Sequence, residues 1–504
     1  MKSETKVAQP RDASAVVLLN PDSTEVVWAR RNPKLAFLGG WHAFPGGKVE
    51  ASDAEIKVKN CEDTGLEKFI VAAARECFEE VGVLLARGGE KLTKGQRASL
   101  HDDLISGRFS FAEILESWNL WIDARDFSYT GFWTTPPFSA VRFKTRFFLA
   151  VCPLRQTPFA AIGELENVEF IEPKAALRRW KKSEVLISPP VLIALQTLAS
   201  KENRDLKSEI VSQNLLEKSQ ICDGKIDFIE INPRVICFPL KTETLPPATH
   251  TNCFVVGREK FVVIDAAARE ESERQKLFGL IDSFIAKGFV CRAIIVSHLH
   301  EDHFGAETIL QKRLREKFGL KIPVAAHRLT AESLRGKVKI GEFLSGGEVF
   351  QLNDENGKLF ELKVLHTPGH ARGHLAFYDE EFGFLLASDN VVGTGSVLIA
   401  PPEGNMVDYL SSLERLKNLP NLRFLCGSHG AAIADARGKI ESYIAHRLER
   451  ERKIIEAIEN GANTVREIVE KVYADILPDL WKLAEKSIEA HLEKLAAEGF
   501  QFPV

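Results

Sequence analysis

Ala293-Ile294-Ile295-Val296-Ser297-His298-Leu299-His300-Glu301-Asp302-His303 is the stretch on which the fold turns. Its first four residues are apolar and mostly β-branched, the pattern of a buried strand. The loop after them crowds three histidines and an aspartate into six positions, in a chain with only 13 histidines. A lone histidine is usually a satisfied polar residue, but this many donors do not fit on one core face. Convergence on a metal ion accounts for them economically.

Three further segments downstream carry the same chemistry. His366-Thr367-Pro368-Gly369-His370 follows one strand pattern, Ser388-Asp389-Asn390 follows the apolar run Gly383 to Ala387, and Gly427-Ser428-His429-Gly430 follows Phe424 to Cys426. Each donor sits at a strand end, and glycine or proline accompanies the two histidines where the chain turns. The ordered pattern H-x-H-x-D-H, then His, Asp and His, resembles the metallo-β-lactamase superfamily over about 200 residues.

The resemblance implies one metal held by His298, His300 and His370, a second held by Asp302, His303 and His429, and Asp389 bridging them. Asp302 is also the expected catalytic group. Histidine-rich ligation favours Zn²⁺. Two ions a few ångströms apart make hydroxide available near neutral pH and polarise the attacked oxygen, which implies a hydrolase. The chain departs from the family pattern in three places. Ser388 replaces the usual glycine before the aspartate, Gly427-Ser428 stands where Pro-Gly is frequent, and alanines follow Asp265 in place of Thr-Gly. None of these removes a ligand. His366 and His374 read as outer partners of the ligands or as structural groups.

Upstream lies a second constellation. From Leu66 to Leu85 the residues Phe69, Ile70, Ala73, Cys77, Phe78 and Val81 recur at three-to-four spacing, which predicts a helix with one buried face. Glu76, Glu79 and Glu80 fall at i, i+3 and i+4, placed by this spacing on the opposite face. Like charges so arranged cost a few tenths of a kcal/mol per pair, a penalty that a bound divalent cation inverts. Carboxylate oxygens suit Mg²⁺ or Mn²⁺, which bridge protein to substrate phosphates.

A glycine-rich loop, Gly39-Gly40-Trp41-His42-Ala43-Phe44-Pro45-Gly46-Gly47, precedes this helix. The segment Gly47-x5-Asp53, then Arg75-Glu76-x-x-Glu79-Glu80-x-Gly82, resembles a Nudix box with a lengthened spacer and with Asp53 where the box has Glu. Together with Arg142-Phe143-Lys144-Thr145-Arg146-Phe147-Phe148, it is similar to the coenzyme A diphosphatase branch. That resemblance implies cleavage of a nucleoside diphosphate linked to another group, with Glu76, Glu79 and Glu80 as metal ligands and Glu76 also as a catalytic base. Glu164 and Glu166 are candidates for one more acid.

The remaining patterns set the organisation. Ala13 to Asn20 and Glu25 to Arg30 read as a hairpin around Pro21-Asp22-Ser23-Thr24, and Pro189 to Ala199 as a helix closing a first α/β unit. The expected fold class is α/β: a Nudix α/β/α sandwich over 10–200, a polar linker over 201–226, a metallo-β-lactamase αββα sandwich over 227–436 and a helical tail over 437–504. The tail, which includes His491-Leu492-Glu493-Lys494-Leu495, resembles the winged-helix-like tail of a lactamase branch containing an endoribonuclease. Asn463 or Thr464 is placed to cap a helix within it.

At 504 residues the chain is too long for one ordinary core. Hydrophobic residues make up 45% and charged residues 27%, the balance of a globular protein. A net charge of -4 supplies no global field toward nucleic acid or an anionic membrane. The polar start, Met1 to Lys6, and the lack of a long apolar run lead to the expectation of a cytoplasmic protein. The expected function is bifunctional: coenzyme A or acyl-coenzyme A cleaved at its diphosphate, and a thioester or ester hydrolysed at the second centre. The alternative is an endoribonuclease or other phosphodiesterase whose tail binds RNA. Small molecules are therefore the expected partners, with nucleic acid as the less favoured one.

Overall fold

The structure is a computed structural model that describes residues 8–501 except 36, 140, 162, 201–225 and 475–477. The linker expected over 201–226 lies, apart from Ile226, outside the described residues. The chain divides into two compact units, Lys6–Ile226 and Asp227–Val504.

The first unit is built on one mixed sheet. Arg11–Leu19 pairs antiparallel with Val26–Arg31 across the expected hairpin turn and runs parallel to Phe143–Val151, which pairs antiparallel with Ser128–Thr134. Leu165–Ile171 extends the sheet beyond Val26–Arg31. Alternation along the first strand supplies both faces: Val16 and Leu18 enter one core, Ala15, Val17 and Leu19 the other. The helix Glu67–Val81 covers the first face with Phe69, Ile70, Cys77 and Phe78. Pro173–Lys181 and Pro189–Ala199 cover the second, which gives the α/β/α layering.

The helix expected to run from Leu66 to Leu85 stops at Val81 because Gly82 adopts φ +66°, the left-handed conformation that closes helices. Its polar face also differs from expectation. Arg75 and Glu80 are buried with the apolar residues, because the strand Gly46–Lys48 packs over the side that the spacing alone leaves to solvent.

The second unit holds two sheets. Seven strands run in the spatial order Glu342–Leu344, Val324–His327, Val290–Val296, Lys260–Ile264, His250–Gly257, Val235–Lys241 and Ile229–Asn232. Five more run in chain order: Val349–Asn353, Leu359–His366, Leu375–Asp379, Phe384–Ser388 and Phe424–Gly427. Leu375–Asp379 and Phe384–Ser388 are buried at every position, as strands covered on both faces must be. Glu271–Ala286 and Glu307–Phe318 pack on one sheet through Leu277, Phe278, Ile281, Leu310 and Leu314, and Met406–Lys417 packs on the other through Met406, Tyr409 and Leu413.

This architecture places the site. Lys260–Ile264, Val290–Val296 and Val324–His327 are parallel neighbours, so their carboxyl ends open on one edge, and Phe384–Ser388 runs parallel to Phe424–Gly427 in the other sheet. Loops at the carboxyl ends of parallel strands are where layered α/β folds bind ligands.

The tail comprises Ala436–Glu459, Val465–Val472 and Trp481–Ala497, packed around Ile454, Ile468, Val469 and Ile488. Of the two expected caps, Thr464 is the one used, in a reciprocal capping box with Glu467. Among the described residues no helix is long and apolar enough to cross a membrane.

Candidate functional site

All seven residues expected to bind metal in the second unit converge. His298, His300, His370 and Asp389 form one group and Asp302, His303 and His429 another, the candidate ligand atoms of each group lying within 4.8 Å of one another. Asp389 stands between the two: its Oδ2 is 3.5 Å from both His303 Nε2 and His370 Nε2, and its Oδ1 is 3.6 Å from His429 Nε2. Asp302 reaches His303 Nε2 at 3.7 Å and His429 Nε2 at 3.5 Å.

The outer hydrogen bonds decide which nitrogen carries each proton. His370 Nδ1 lies 2.8 Å from the Leu398 carbonyl and His429 Nδ1 2.9 Å from the His250 carbonyl, and a carbonyl only accepts. His303 Nδ1 likewise donates to Asp265 Oδ2 at 2.9 Å. Ser297 Oγ gives its own proton to Asp265 at 2.7 Å and so accepts from His298 Nδ1 at 3.0 Å. Four imidazoles therefore keep Nδ1–H outward and aim the Nε2 lone pair at the centre.

Those inward atoms crowd one another. His300 Nδ1 lies 3.0 Å from His298 Nε2 and 2.9 Å from His370 Nε2, while His303 Nε2 and Asp389 Oδ1 are buried with no hydrogen-bond partner among the described residues. A single proton on His300 Nδ1 can be given fully to only one of its two neighbours, whereas a cation among these atoms serves all of them. The donor set thus fits metal ions, with imidazole and carboxylate chemistry suited to Zn²⁺ and to other transition metals. Burial pushes His298 well below its ordinary value and His370 down to about 3, so both stay neutral and able to ligate.

One departure from the family pattern, Ser388, and the aspartate that precedes another, Asp265, acquire a physical meaning. Ser388 sits at φ +45°, a conformation that favours glycine, and its Oγ donates to the Leu375 carbonyl at 3.0 Å. Asp265, at φ +56°, accepts from Ser297 N and Ser297 Oγ at 2.7 Å each, besides orienting His303. Sequence reasoning missed Asp265 and Ser297 as supports of the site. The available signal was an aspartate ending the strand Lys260–Ile264, just as Asp389 follows Phe384–Ser388. His374 is fully buried, accepts from Asp389 N at 3.1 Å and donates to Thr367 Oγ1 at 2.9 Å, so it holds the loop that carries Asp389.

In the first unit the carboxylates gather around Arg75. The guanidinium binds Asp53 with two bonds of 2.8 and 3.0 Å and donates to Glu76 and Glu79 at 2.9 Å each and to the Lys48 carbonyl at 2.9 Å. Asp53 is buried, and its carboxylate also accepts a 2.7 Å bond from Glu50 N. Glu80 accepts from Gly46 N at 2.7 Å. A Cβ at Gly47 would meet the Glu76 carboxylate at 2.4 Å, so any larger residue there would push that carboxylate out of its present place. Burial pushes Glu76 up to about 7, and burial with Glu76 alongside pushes Glu80 up to about 8.

Glu164 adds negative potential to Glu76 and Glu80 and is exposed, whereas Glu166 lies on the strand Leu165–Ile171 opposite Arg30. Among the described residues the sets that meet the 4.8 Å spacing are the two histidine-aspartate groups, so the glutamates are the looser constellation.

The comparisons with known proteins follow the same division. Family models match a NUDIX domain over residues 9–189, the metallo-beta-lactamase superfamily over 246–429 and the beta-lactamase associated winged helix domain over 464–500. A beta-lactamase-like protein 2 homolog of Drosophila melanogaster is 28% identical over 261 residues, which are 49% of this chain and 83% of that protein. An atrochrysone carboxyl ACP thioesterase of a Cryptosporiopsis species is 26% identical over 291 residues, 54% of this chain and 83% of that protein. A solved NUDIX hydrolase from Alicyclobacillus acidocaldarius is 29% identical, covering 40% of this chain and 96% of that one with a TM-score of 0.34. The chain is a hydrolase that joins a NUDIX domain to a metallo-beta-lactamase domain with its helical tail.

Proposed function

We propose that this union of a NUDIX domain and a metallo-beta-lactamase domain carries two hydrolytic activities, one on a coenzyme A-type diphosphate and one on a thioester or ester. The proposed division is 10–200 for the first hydrolase, 227–436 for the second and 437–504 for the tail. The observation that carries the second activity is the set of four inward imidazole lone pairs facing Asp302 and Asp389.

His298, His300 and His370 would hold one ion and Asp302, His303 and His429 the other, with Asp389 shared. When bound, such a pair supplies a nucleophile at neutral pH and positive charge for a developing oxyanion. The chain's own residues do the rest. Asp302 would accept a hydrogen bond from the attacking water and fix its direction. Asp265, Ser297 and the Leu398 and His250 carbonyls keep each imidazole in the tautomer that faces the ions. A thioester is favoured because an atrochrysone carboxyl ACP thioesterase is among the relatives.

In the first unit Glu76, Glu79 and Glu80 would hold Mg²⁺ or Mn²⁺ against substrate phosphates. Glu76, whose carboxyl is already raised to about 7, would take the proton of the attacking water. Arg75 positions the carboxylates through Asp53.

The experiment is metal analysis of protein purified without chelator, then assays of coenzyme A, acyl-coenzyme A, model thioesters and RNA. Wild type, Glu79→Gln and His300→Ala are compared in parallel. Loss of diphosphate cleavage in the first variant alone and of thioester cleavage in the second alone is the expected result. RNA cleavage lost only in His300→Ala would replace the thioester reading with a nuclease.

A further inference from the structure

Two cavities of the second unit lie on either side of Glu301, and the smaller one reaches the histidine centre through Asp302. One, of about 310 Å³, is lined by Asp302, Glu301, Arg269 and Lys241. The other, of about 580 Å³, is lined by Arg328, Arg335, Lys337, Lys339, Ile340 and Phe343. Glu301 joins them: its carboxylate lies 3.0 Å from Lys337 Nζ on one side and 3.4 Å from Arg269 Nη2 on the other. Asp302, a member of the second ligand group, is the next residue in the chain.

Charge in the larger cavity is lopsided. Four cations face Glu332 as the one acid of the lining, and Glu332 lies 3.6 Å from Arg328. Arg335 and Lys339 are exposed and make no ion pair among the described residues. Phe343, on the edge strand Glu342–Leu344, is 61% exposed beside them. Guanidinium and ammonium groups bind phosphate oxygens, and an open aromatic face stacks a base.

The geometry points to a subsite for a phosphorylated nucleotide, with its base on Phe343, its phosphates among Arg328, Arg335, Lys337 and Lys339, and the rest of the molecule passing Glu301 toward Asp302. The inference rests on the thioester reading of the histidine centre and narrows its substrates to thioesters whose thiol carries a nucleotide. A strand of RNA is less well matched, since it needs a longer track of cations interleaved with several aromatics. Here four cations accompany one exposed phenylalanine.

The test titrates the full chain with adenosine 3′,5′-bisphosphate by calorimetry, comparing wild type with Arg335→Glu/Lys339→Glu and with Phe343→Ala. The first unit can also take this probe, so the readout is the change in stoichiometry and affinity between variants. The charge-reversed protein is expected to lose one class of binding site, and Phe343→Ala to weaken it by about tenfold. In kinetics, KM for an acyl-coenzyme A is expected to rise about tenfold with kcat unchanged, while the same acyl group on N-acetylcysteamine keeps its KM.

Bisphosphate binding unaltered by the substitutions, an equal rise in KM for both thioesters, or binding by the groove of an RNA oligonucleotide but not of the bisphosphate would each overturn the subsite. If no thioester is turned over yet variant-sensitive bisphosphate binding persists, the subsite stands and the thioester reading falls. Thioester turnover with variant-insensitive binding gives the reverse.

Discussion

The two candidate sites hold their donors in opposite ways. Around the histidine centre the supporting groups are acceptors: Asp265, Ser297 and the Leu398 and His250 carbonyls draw protons outward and leave lone pairs facing inward. Around the glutamates the support is a cation, Arg75, which itself binds Glu76 and Glu79. The first arrangement turns several acceptor atoms toward one point, where a metal can serve all of them. The second is already partly neutralised, so a divalent ion there competes with a guanidinium. The histidine centre should therefore bind its metal more tightly and survive dilution and dialysis better than the carboxylate helix.

The largest expected effect tests whether the two sites are separate at all. His300→Ala removes a group that faces both His298 and His370, and its loss in kcat/KM at the second centre should exceed the roughly 10–100-fold typical of an outer partner. Diphosphate hydrolysis should be untouched. A parallel fall in both activities would merge the sites and end the comparison.

Next come the supports themselves. Asp265→Asn keeps the shape but leaves His303 without its carboxylate, and should weaken metal retention about 10–100-fold in a chelator competition. Asp53→Asn breaks the two-bond anchor of a buried Arg75. It should cost about 1–3 kcal/mol of stability in the first unit by denaturant unfolding, since a charged hydrogen-bonded anchor is lost while Glu76 and Glu79 still face the guanidinium. If Asp53→Asn is silent while Asp265→Asn is not, the guanidinium is dispensable and the contrast between the supports sharpens.

The smallest effect concerns protons. Burial, with Arg179 and Arg30 adding to it, holds His42 down to about 3 from an ordinary 6.5. Above 6.5 the imidazole is neutral folded and unfolded, so it contributes no pH dependence. Below 6.5 the unfolded chain takes up a proton that the folded one refuses, and stability is lost until about 3. Glu76 and Glu80, raised by burial, act in the opposite sense below their folded values. The measurement is therefore the difference between wild type and His42→Gln in urea at pH 7 and pH 5, expected to be about 2 kcal/mol at most. Equal slopes with pH for both proteins would show that His42 is not held neutral.

Much of this was legible in the chain. Every donor of the histidine centre follows an apolar strand run, so strand ends, histidines and their order sufficed to name His298, His300, Asp302, His303, His370, Asp389 and His429. The helix start, the hairpin and a cap at Asn463 or Thr464 were legible for the same reason: each is written in neighbouring residues, and the structure chose Thr464. The end of the carboxylate helix was less so, because Gly82 acts through its backbone angle and not through an apolar period.

Composition and spacing determined the fold classes and the candidate metal-binding residues, because those follow from side-chain chemistry and local period. Only the tertiary structure decided what each group faces. Asp265 lies 38 positions from the His303 it orients, and Asp53 22 positions from Arg75. Glu80 is buried because a glycine strand distant in sequence packs over it. Proton positions, burial and left-handed backbone at Ser388 depend on which chain segments are brought together, and local sequence carries no record of that.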